Sequence, residues 1–355
     1  MAFNNEQVLS QIVNPAEKAV FKSMREDMET GKAVLNPQQL GMFLRAASLN
    51  QTILQDATFD ILASFEKQYV ETGINGRVLQ PGYKVDGQGK KSTNDELDAA
   101  DVGFDVTILE TTKIKTMCSI EDDEKEDNIE KEQFEQTLLT MMGERAGEDL
   151  EVWALYSDTD EYEPSTLLGT ADGWLKRSPQ QLQSAAQYAE TNTGKADFDP
   201  TSGTVEAIFD AAIYAMPLRF RQRNKLKFYV PFEIEDAYRN LLKSRGTQLG
   251  DSTQTGYAPT LTYKGIPIVN CQSFDDELLR DNMTTTNVFL ADPTQLLYGI
   301  WKNMSIEPDR VVKHERTDYY YRLRPGVNTK FGGKPTVNCT LTLDELADLP
   351  DASKI

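Results

Sequence analysis

Thr111-Thr112-Lys113-Ile114-Lys115-Thr116-Met117-Cys118-Ser119-Ile120-Glu121, followed by Asp127-Asn128-Ile129-Glu130, is the stretch whose reading decides the fold. Just upstream, Phe104, Val106 and Ile108 recur at every second position, and Ile114 then sits between Lys113 and Lys115. A period of two marks a half-buried strand, so 104–120 reads as one long strand. Downstream, Asp127 caps a helix, with Glu130 three residues on as its capping-box partner. Phe134, Leu138, Met142, Ala146, Leu150, Trp153 and Tyr156 follow at helical spacing. The helix has about 29 residues and runs about 43 Å at about 1.5 Å per residue, long enough to lie across a domain. Phe134, Leu138, Met142, Leu150 and Trp153 form its expected packing face.

Working outward, Gly73-Ile74-Asn75-Gly76 is strong turn chemistry. Residues 80–100 hold Pro81-Gly82, Lys84, Asp86-Gly87-Gln88-Gly89-Lys90-Lys91 and Asp95, a polar run with little to bury. Residues 58–120 therefore read as two extended legs joined by an exposed tip. Residues 1–35 read as an arm, and Asn36-Pro37 starts a helix. After the long helix come a loop-rich stretch at 158–200 and a helix from Thr204 to Met216, ended by Pro217. Lys225 to Pro231 reads as a strand, Phe232 to Ser244 as a helix, and 246–257 as a loop. Tyr263 to Val269 is a turn into a buried strand. Ile300 to Ile306, Tyr319 to Leu323 and Thr336 to Leu343 alternate as strands, with Gly332-Gly333-Lys334 as a hairpin turn.

The chain has 355 residues, enough for about two domains. Hydrophobic residues make up 39% and charged ones 26%, which suits a folded protein. A net charge of -19 argues against a sequence-reading nucleic-acid binder and against docking on anionic lipid. Cys118, Cys271 and Cys339 have no CxxC spacing, so the sequence offers neither a disulfide framework nor a zinc site. Met1 to Ser10 does not read as a signal peptide, and no apolar run is long enough for a membrane span. His314 is the single histidine, beside Lys313, Glu315 and Arg316, and supports no Ser-His-Asp or Cys-His constellation. Gly87-Gln88-Gly89-Lys90-Lys91 lacks phosphate-loop spacing. No catalytic residue, metal ligand or cofactor follows from the sequence.

Two charge features stand out. Glu121, Asp122, Asp123 and Glu124 open an acidic run at the start of the long helix. Arg219, Arg221, Arg223, Lys225 and Lys227 alternate with neutral residues, so a strand would carry all five on one face. Intramolecular pairing on a solvated edge, a contact between subunits, and nucleic acid are the three readings of that face. Charge complementarity of this kind fixes register more than affinity.

The order of these elements resembles the capsid fold named after phage Hong Kong 97, shared by tailed phages, herpesvirus capsid floors and encapsulin shells. Gly76-Arg77-Val78-Leu79 with Pro81-Gly82 is similar to the outgoing leg of that family's extended loop, and Thr111 to Glu121 to its return into the spine helix. Leu155-Tyr156-Ser157-Asp158 stands where the family carries a Leu-x-x-Gly-Asp type exit, a mild departure. Leu168 to Leu175, Tyr263 to Val269 and Phe289-Leu290-Ala291-Asp292-Pro293 resemble the way into the axial domain, its later strand and the return to the peripheral domain. The likeness runs over roughly 36–345, and its specificity lies in the order rather than in any one motif.

The resemblance implies an α+β, Hong Kong 97-like phage capsid fold. Its parts would be an N-terminal arm (1–57), an extended loop (58–120), a spine helix (121–158), an axial domain (159–292), a peripheral sheet (293–345) and a tail (346–355). It implies a major capsid protein, not an enzyme, forming hexamers and pentamers of an icosahedral shell around packaged double-stranded DNA without sequence specificity. Partners would be further copies of itself and portal, scaffolding and decoration proteins, with assembly in the host cytoplasm, residence in the virion and no membrane. Lys84, Asp86, Lys90, Lys91 and Asp95 would make tip contacts between subunits. The acidic run and the five cations would make electrostatic ones. An encapsulin-type compartment, or an enzyme with an unrecognised site, are the competing readings.

Overall fold

The alternating segment at 104–120 breaks at Thr111 to Lys113, and the two halves belong to different sheets. The computed structural model describes residues 51–75, 78–80, 83–85, 89, 91–93, 101–121, 132–182, 205–244, 261–276, 285–301 and 305–342. Residues 1–50 of the expected N-terminal arm (1–57), with the helix start at Asn36-Pro37, the acidic residues Asp122, Asp123 and Glu124, the cap at Asp127, and the loop at 246–257 lie outside these residues.

In chain order the strands are β1 (Thr58–Leu62), β2 (Glu66–Asn75), β3 (Tyr83–Val85), β4 (Lys91–Thr93), β5 (Asp101–Glu110), β6 (Ile114–Glu121), β7 (Gln180–Leu182) and β8 (Lys227–Val230). They continue with β9 (Thr262–Tyr263), β10 (Ile266–Asn270), β11 (Thr285–Ala291), β12 (Leu296–Trp301), β13 (Ser305–Val311), β14 (Arg316–Leu323), β15 (Pro325–Thr329) and β16 (Thr336–Thr342). The described helices are α1 (Thr52–Asp56), α2 (Glu132–Tyr156), α3 (Trp174–Arg177), α4 (Val205–Ala215) and α5 (Phe232–Ser244).

The long helix expected from periodicity is α2, with 25 described residues. Met142 is half-buried, and Leu150 and Trp153 are buried; the side chains of Phe134 and Leu138 lie outside the described ones. From Val152 to Tyr156 every side chain is buried, so the helix ends inside the protein rather than on its surface. It lies against a six-stranded sheet in the order β7-β16-β11-β8-β10-β9. Tyr229 and Phe289, paired in register across β8 and β11, join Trp153, Trp174 and Phe274 in the core on the α2 side. The alternate residues Phe228, Val288 and Leu290 join α4 and α5 in a second core, centred on Phe209. The Phe209 ring lies 4.7 Å from Phe228, 5.2 Å from Tyr263 and 5.6 Å from Tyr238. Both sheet faces are thus covered, which is why these strands read as nearly continuous apolar runs. Two smaller sheets, β1-β12-β15 and β13-β14-β6, adjoin the same α2 core through Tyr298, Ile300, Tyr319 and Tyr321.

Three expectations need correction. Residues 219–225 are not strand: Pro217 ends α4, Leu218–Phe220 form a 3-10 turn, and extended structure starts only at Lys227. The Arg221 guanidinium caps α4 instead, donating to the carbonyls of Tyr214 and Met216 at 2.5 Å each. The chain must turn to bring it there, so the five cations do not share one face. Gly332-Gly333-Lys334 is not a hairpin turn, since β15 and β16 lie in different sheets. The crossing uses left-handed backbone at Phe331, Gly332 and Gly333. Finally, 336–342 joins neither of the two sheets to which the strands of 296–329 belong. It pairs along its whole length with β11, because Val337, Cys339 and Leu341 bury their face in the α4 core.

Phe209→Ala removes the ring at the centre of that second core. It is expected to cost about 3–5 kcal/mol in urea unfolding, at the upper end of large-to-small substitutions.

Candidate assembly interface

Strands β2 and β5 pair from Glu66↔Glu110 to Asn75↔Asp101 as a ribbon of two strands only. Ten residues per strand span roughly 33 Å. A ribbon of this kind has no second layer of its own, so what holds each face decides its stability.

The inner face is clamped to the body at its root. Lys67 Nζ and Tyr69 Oη both donate to the Asp60 carboxylate on β1. Burial pushes that carboxyl up, but these hydrogen bonds outweigh it and hold it below its ordinary value. Glu71 Oε2 accepts the Phe331 amide at 2.6 Å, and Asn328 Nδ2 donates to the Ile108 carbonyl at 2.5 Å. Leu109, fully buried, enters a socket formed by Gly299 and Gly326, which face each other across β12 and β15. A Cβ on Gly299 would lie 2.9 Å from the Leu109 side chain, and one on Gly326 would run into the Glu110 carbonyl. Only glycine lets the leg approach this closely.

The outer face is bare. Val70 is 62% exposed, Phe104 65%, Val106 54% and Ile108 39%. The alternation read as half-buried therefore has its buried phase on Thr107 and Leu109, and the apolar triplet points outward. At the root of this face Glu66 and Glu110 are directly opposite and exposed, and no ion pair among the described residues reaches either. Like charges in that position destabilise a ribbon.

At the tip, Lys84 pairs with Ser92 and Val85 with Lys91 in the backbone ladder of β3 and β4. Asp86, Lys90 and Asp95 lie outside the described residues. Glu121 is exposed, opposite Arg316 at the end of β6. The cations separate into two groups. Arg221 caps α4, and Lys227 is paired with Asp56 at 2.7 Å. Arg219, Arg223 and Lys225 remain exposed. Arg219 lies over the Phe220 and Phe331 rings at 5.7 and 5.9 Å.

Behind the ribbon, Glu151 on α2 is only 1% exposed. Its carboxylate accepts Ile53 N at 3.2 Å and Leu54 N at 3.4 Å, the first-turn amides of α1. Gln51 makes no side-chain cap there, so the cap comes from 97 residues or more away in sequence. Ser273 Oγ at 2.8 Å and Cys271 Sγ at 3.3 Å donate to the other oxygen. Burial raises this carboxyl, against the pull of its four donors. Where α2 ends, Lys176 on α3 gathers Asp158 at 2.6 Å, Asp160 at 2.8 Å and Asp172 at 2.9 Å. Sequence reading found none of these groups. Glu151 falls among the acidic residues of an amphipathic helix, and the socket glycines carry no local signature.

Among the described residues there is no cluster suited to a metal ion, and no helix is long and apolar enough to cross a membrane. No family model matches the chain. A protein of Bacillus subtilis (strain 168) named as a prophage capsid protein, YqbE, is 24% identical over 307 residues, covering 85% of this chain and 89% of the relative. Among solved structures, a chain of the satellite phage P4 procapsid with its size-determination protein aligns at a TM-score of 0.55 and 11% identity, over 91% of this chain and 97% of that one. A capsid chain of the native GTA particle aligns at 0.55 and 11%, over 84% and 90%. A chain of Mycobacterium phage Ogopogo aligns at 0.52 and 10%, over 82% and 92%.

The chain has the fold of phage capsid proteins.

These relatives are named as a prophage capsid protein and as chains of a procapsid and a capsid.

The Lys176 cluster makes a pH prediction. Burial raises the Asp158 and Asp172 carboxyls, but hydrogen bonds from Lys176, helped by those from Asp160 and Glu161 to the first and from Thr159 to the second, hold both below the ordinary carboxylate value. Their contribution to stability is therefore present above that value and is lost as the pH falls through their folded values. Lys176→Met should destabilise by roughly 1 kcal/mol at neutral pH. The deficit should vanish on acidification, read as converging melting temperatures of variant and wild type.

Proposed function

We propose that this chain is the major capsid protein of a tailed, double-stranded-DNA phage. It builds the shell through hexamers and pentamers and resides in the virion, around packaged DNA that it contacts without sequence specificity. On this reading the fold is Hong Kong 97-like. The ribbon at 66–110 is the extended loop, α2 the spine helix, and the six-stranded sheet with α4 and α5 the core of the axial domain. The sheets β1-β12-β15 and β13-β14-β6 belong to the peripheral part.

The observation that carries the proposal is the outer face of the ribbon. Val70, Phe104, Val106 and Ile108 form a contiguous apolar stripe on an element with nothing of its own to cover it. Exposed stripes of this kind mark interaction sites. A rigidly rooted ribbon roughly 33 Å long suits contact with a neighbouring copy. Lys84, Asp86, Lys90, Lys91 and Asp95 are then tip contacts, and the acidic run Glu121 to Glu124 a contact near the spine. Portal, scaffolding and decoration proteins are its further partners, with assembly in the host cytoplasm.

Negative-stain microscopy beside size-exclusion chromatography of the purified chain tests this. Shells or capsomer-sized rings are expected, and a monomer or small dimer forming no particles even under crowding would refute the proposal. Removing 80–100 should block shell closure while the thermal unfolding of the subunit stays cooperative. Shells closed by that variant would remove the tip from the mechanism. An encapsulin-type compartment would instead show enclosed cargo and no portal vertex.

A further inference from the structure

The outer face of the ribbon is not purely apolar. Its root carries Glu66 and Glu110 side by side and exposed, with no ion pair to either among the described residues. Two carboxylates held directly across a ribbon repel each other, and the repulsion is relieved when a cation approaches both. The surface that fits this face therefore combines an apolar projection with positive charge.

The chain itself has such a surface. In the turn after α4, Leu218 is 80% exposed, with Arg219, Arg223 and Lys225 also exposed around the same turn. No ion pair among the described residues engages these three cations. The turn is anchored by Arg221 on the end of α4 and by the Phe220 ring, 5.6 Å from Phe331. Phe331 in turn donates its amide to Glu71, whose side chain is on the inner face of the ribbon. The basic turn is thus tied to the inner side of the root, while the acidic and apolar stripe faces outward. The stripe faces away from the side to which the basic turn is tied, so the two patches do not meet within a subunit. Repeated between subunits, they form a head-to-tail contact, the kind that closes rings.

We infer that the outer root of the ribbon, at Glu66 and Glu110, docks on the basic turn at 218–225 of a second copy of this chain. Leu218 meets the apolar stripe, and Arg223 and Lys225 neutralise the paired glutamates. The inference rests on the shell-subunit reading and names the two surfaces that join one subunit to the next.

Charge reversal tests it. Two variants, Glu66→Lys with Glu110→Lys and Arg223→Glu with Lys225→Glu, are first compared with wild type by circular dichroism and melting temperature. These surface changes should leave both unchanged. In assembly followed by size exclusion and microscopy, each pair should lower particle yield by about tenfold or more through like-charge juxtaposition. The fourfold variant, with the charges exchanged, should recover particles. Normal yield from either pair, or no recovery in a folded fourfold variant, overturns the contact. Failure of the wild type itself to form particles points instead to failure of the shell-subunit reading.

Discussion

A two-stranded ribbon cannot stabilise itself in water, and the rest of this structure is arranged around that constraint. Ten residues per strand gain a single ladder of hydrogen bonds and bury no second layer. The root supplies what the ribbon lacks. Leu109 sits in the glycine socket, Glu71 and Asn328 add hydrogen bonds to and from the chain around β15, and Asp60 gathers Lys67 and Tyr69. These contacts act on one face and at one end. They fix the direction of the ribbon without covering its outer surface, which is what an arm that reaches a neighbour requires.

The root in turn depends on α2. Strand β1 follows α1 directly, and the first turn of α1 is capped by Glu151 from α2. Asp56, at the other end of α1, accepts Lys227 and Tyr229 from β8. A five-residue helix has no stability of its own. Here it is a spacer held at both ends by polar side chains, the Glu151 carboxylate from the long helix and the Lys227 ammonium and Tyr229 hydroxyl from the six-stranded sheet. A buried carboxylate is a poor source of stability compared with an apolar side chain of similar size. Its value at Glu151 is directional: only one placement of α1 aims two amides at Oε2 while Ser273 and Cys271 reach Oε1.

What was legible in the sequence follows from what is local. The helix at 132–156 and the helices at 205–215 and 232–244 stand out because a 3.6-residue period repeats over several turns. The ribbon showed as alternation with a polar tip between its legs. The alternation left its phase open, because periodicity gives two faces and does not say which one meets the body. Leu109 decides it, and Leu109 is buried because of Gly299 and Gly326, some two hundred positions away. The basic run at 219–227 failed as a strand for a similar reason. Alternating cations look the same in a strand and in a turn until Arg221 finds the carbonyls of Tyr214 and Met216. The glutamate node and the Lys176 cluster were invisible, because their partners come together only on folding.

The clamp at the root also bears on how copies of the chain would add up. A head-to-tail contact closes into a ring only when the rotation between successive copies is fixed, and otherwise grows into an open filament. A swinging ribbon would leave that rotation undefined. Clamping through a knob in a rigid socket, rather than through long surface side chains, sets the angle before any neighbour arrives and lowers the ordering cost of contact. The net charge of -19 acts in the same direction. Net repulsion opposes indiscriminate association, but charges more than roughly 8 Å apart are largely screened, so local complementarity decides once two surfaces are close. With the proposed contact, weak overall repulsion, a local attractive patch and a fixed approach angle would together favour a closed set of neighbours over random aggregation, despite an arm that carries an exposed apolar face.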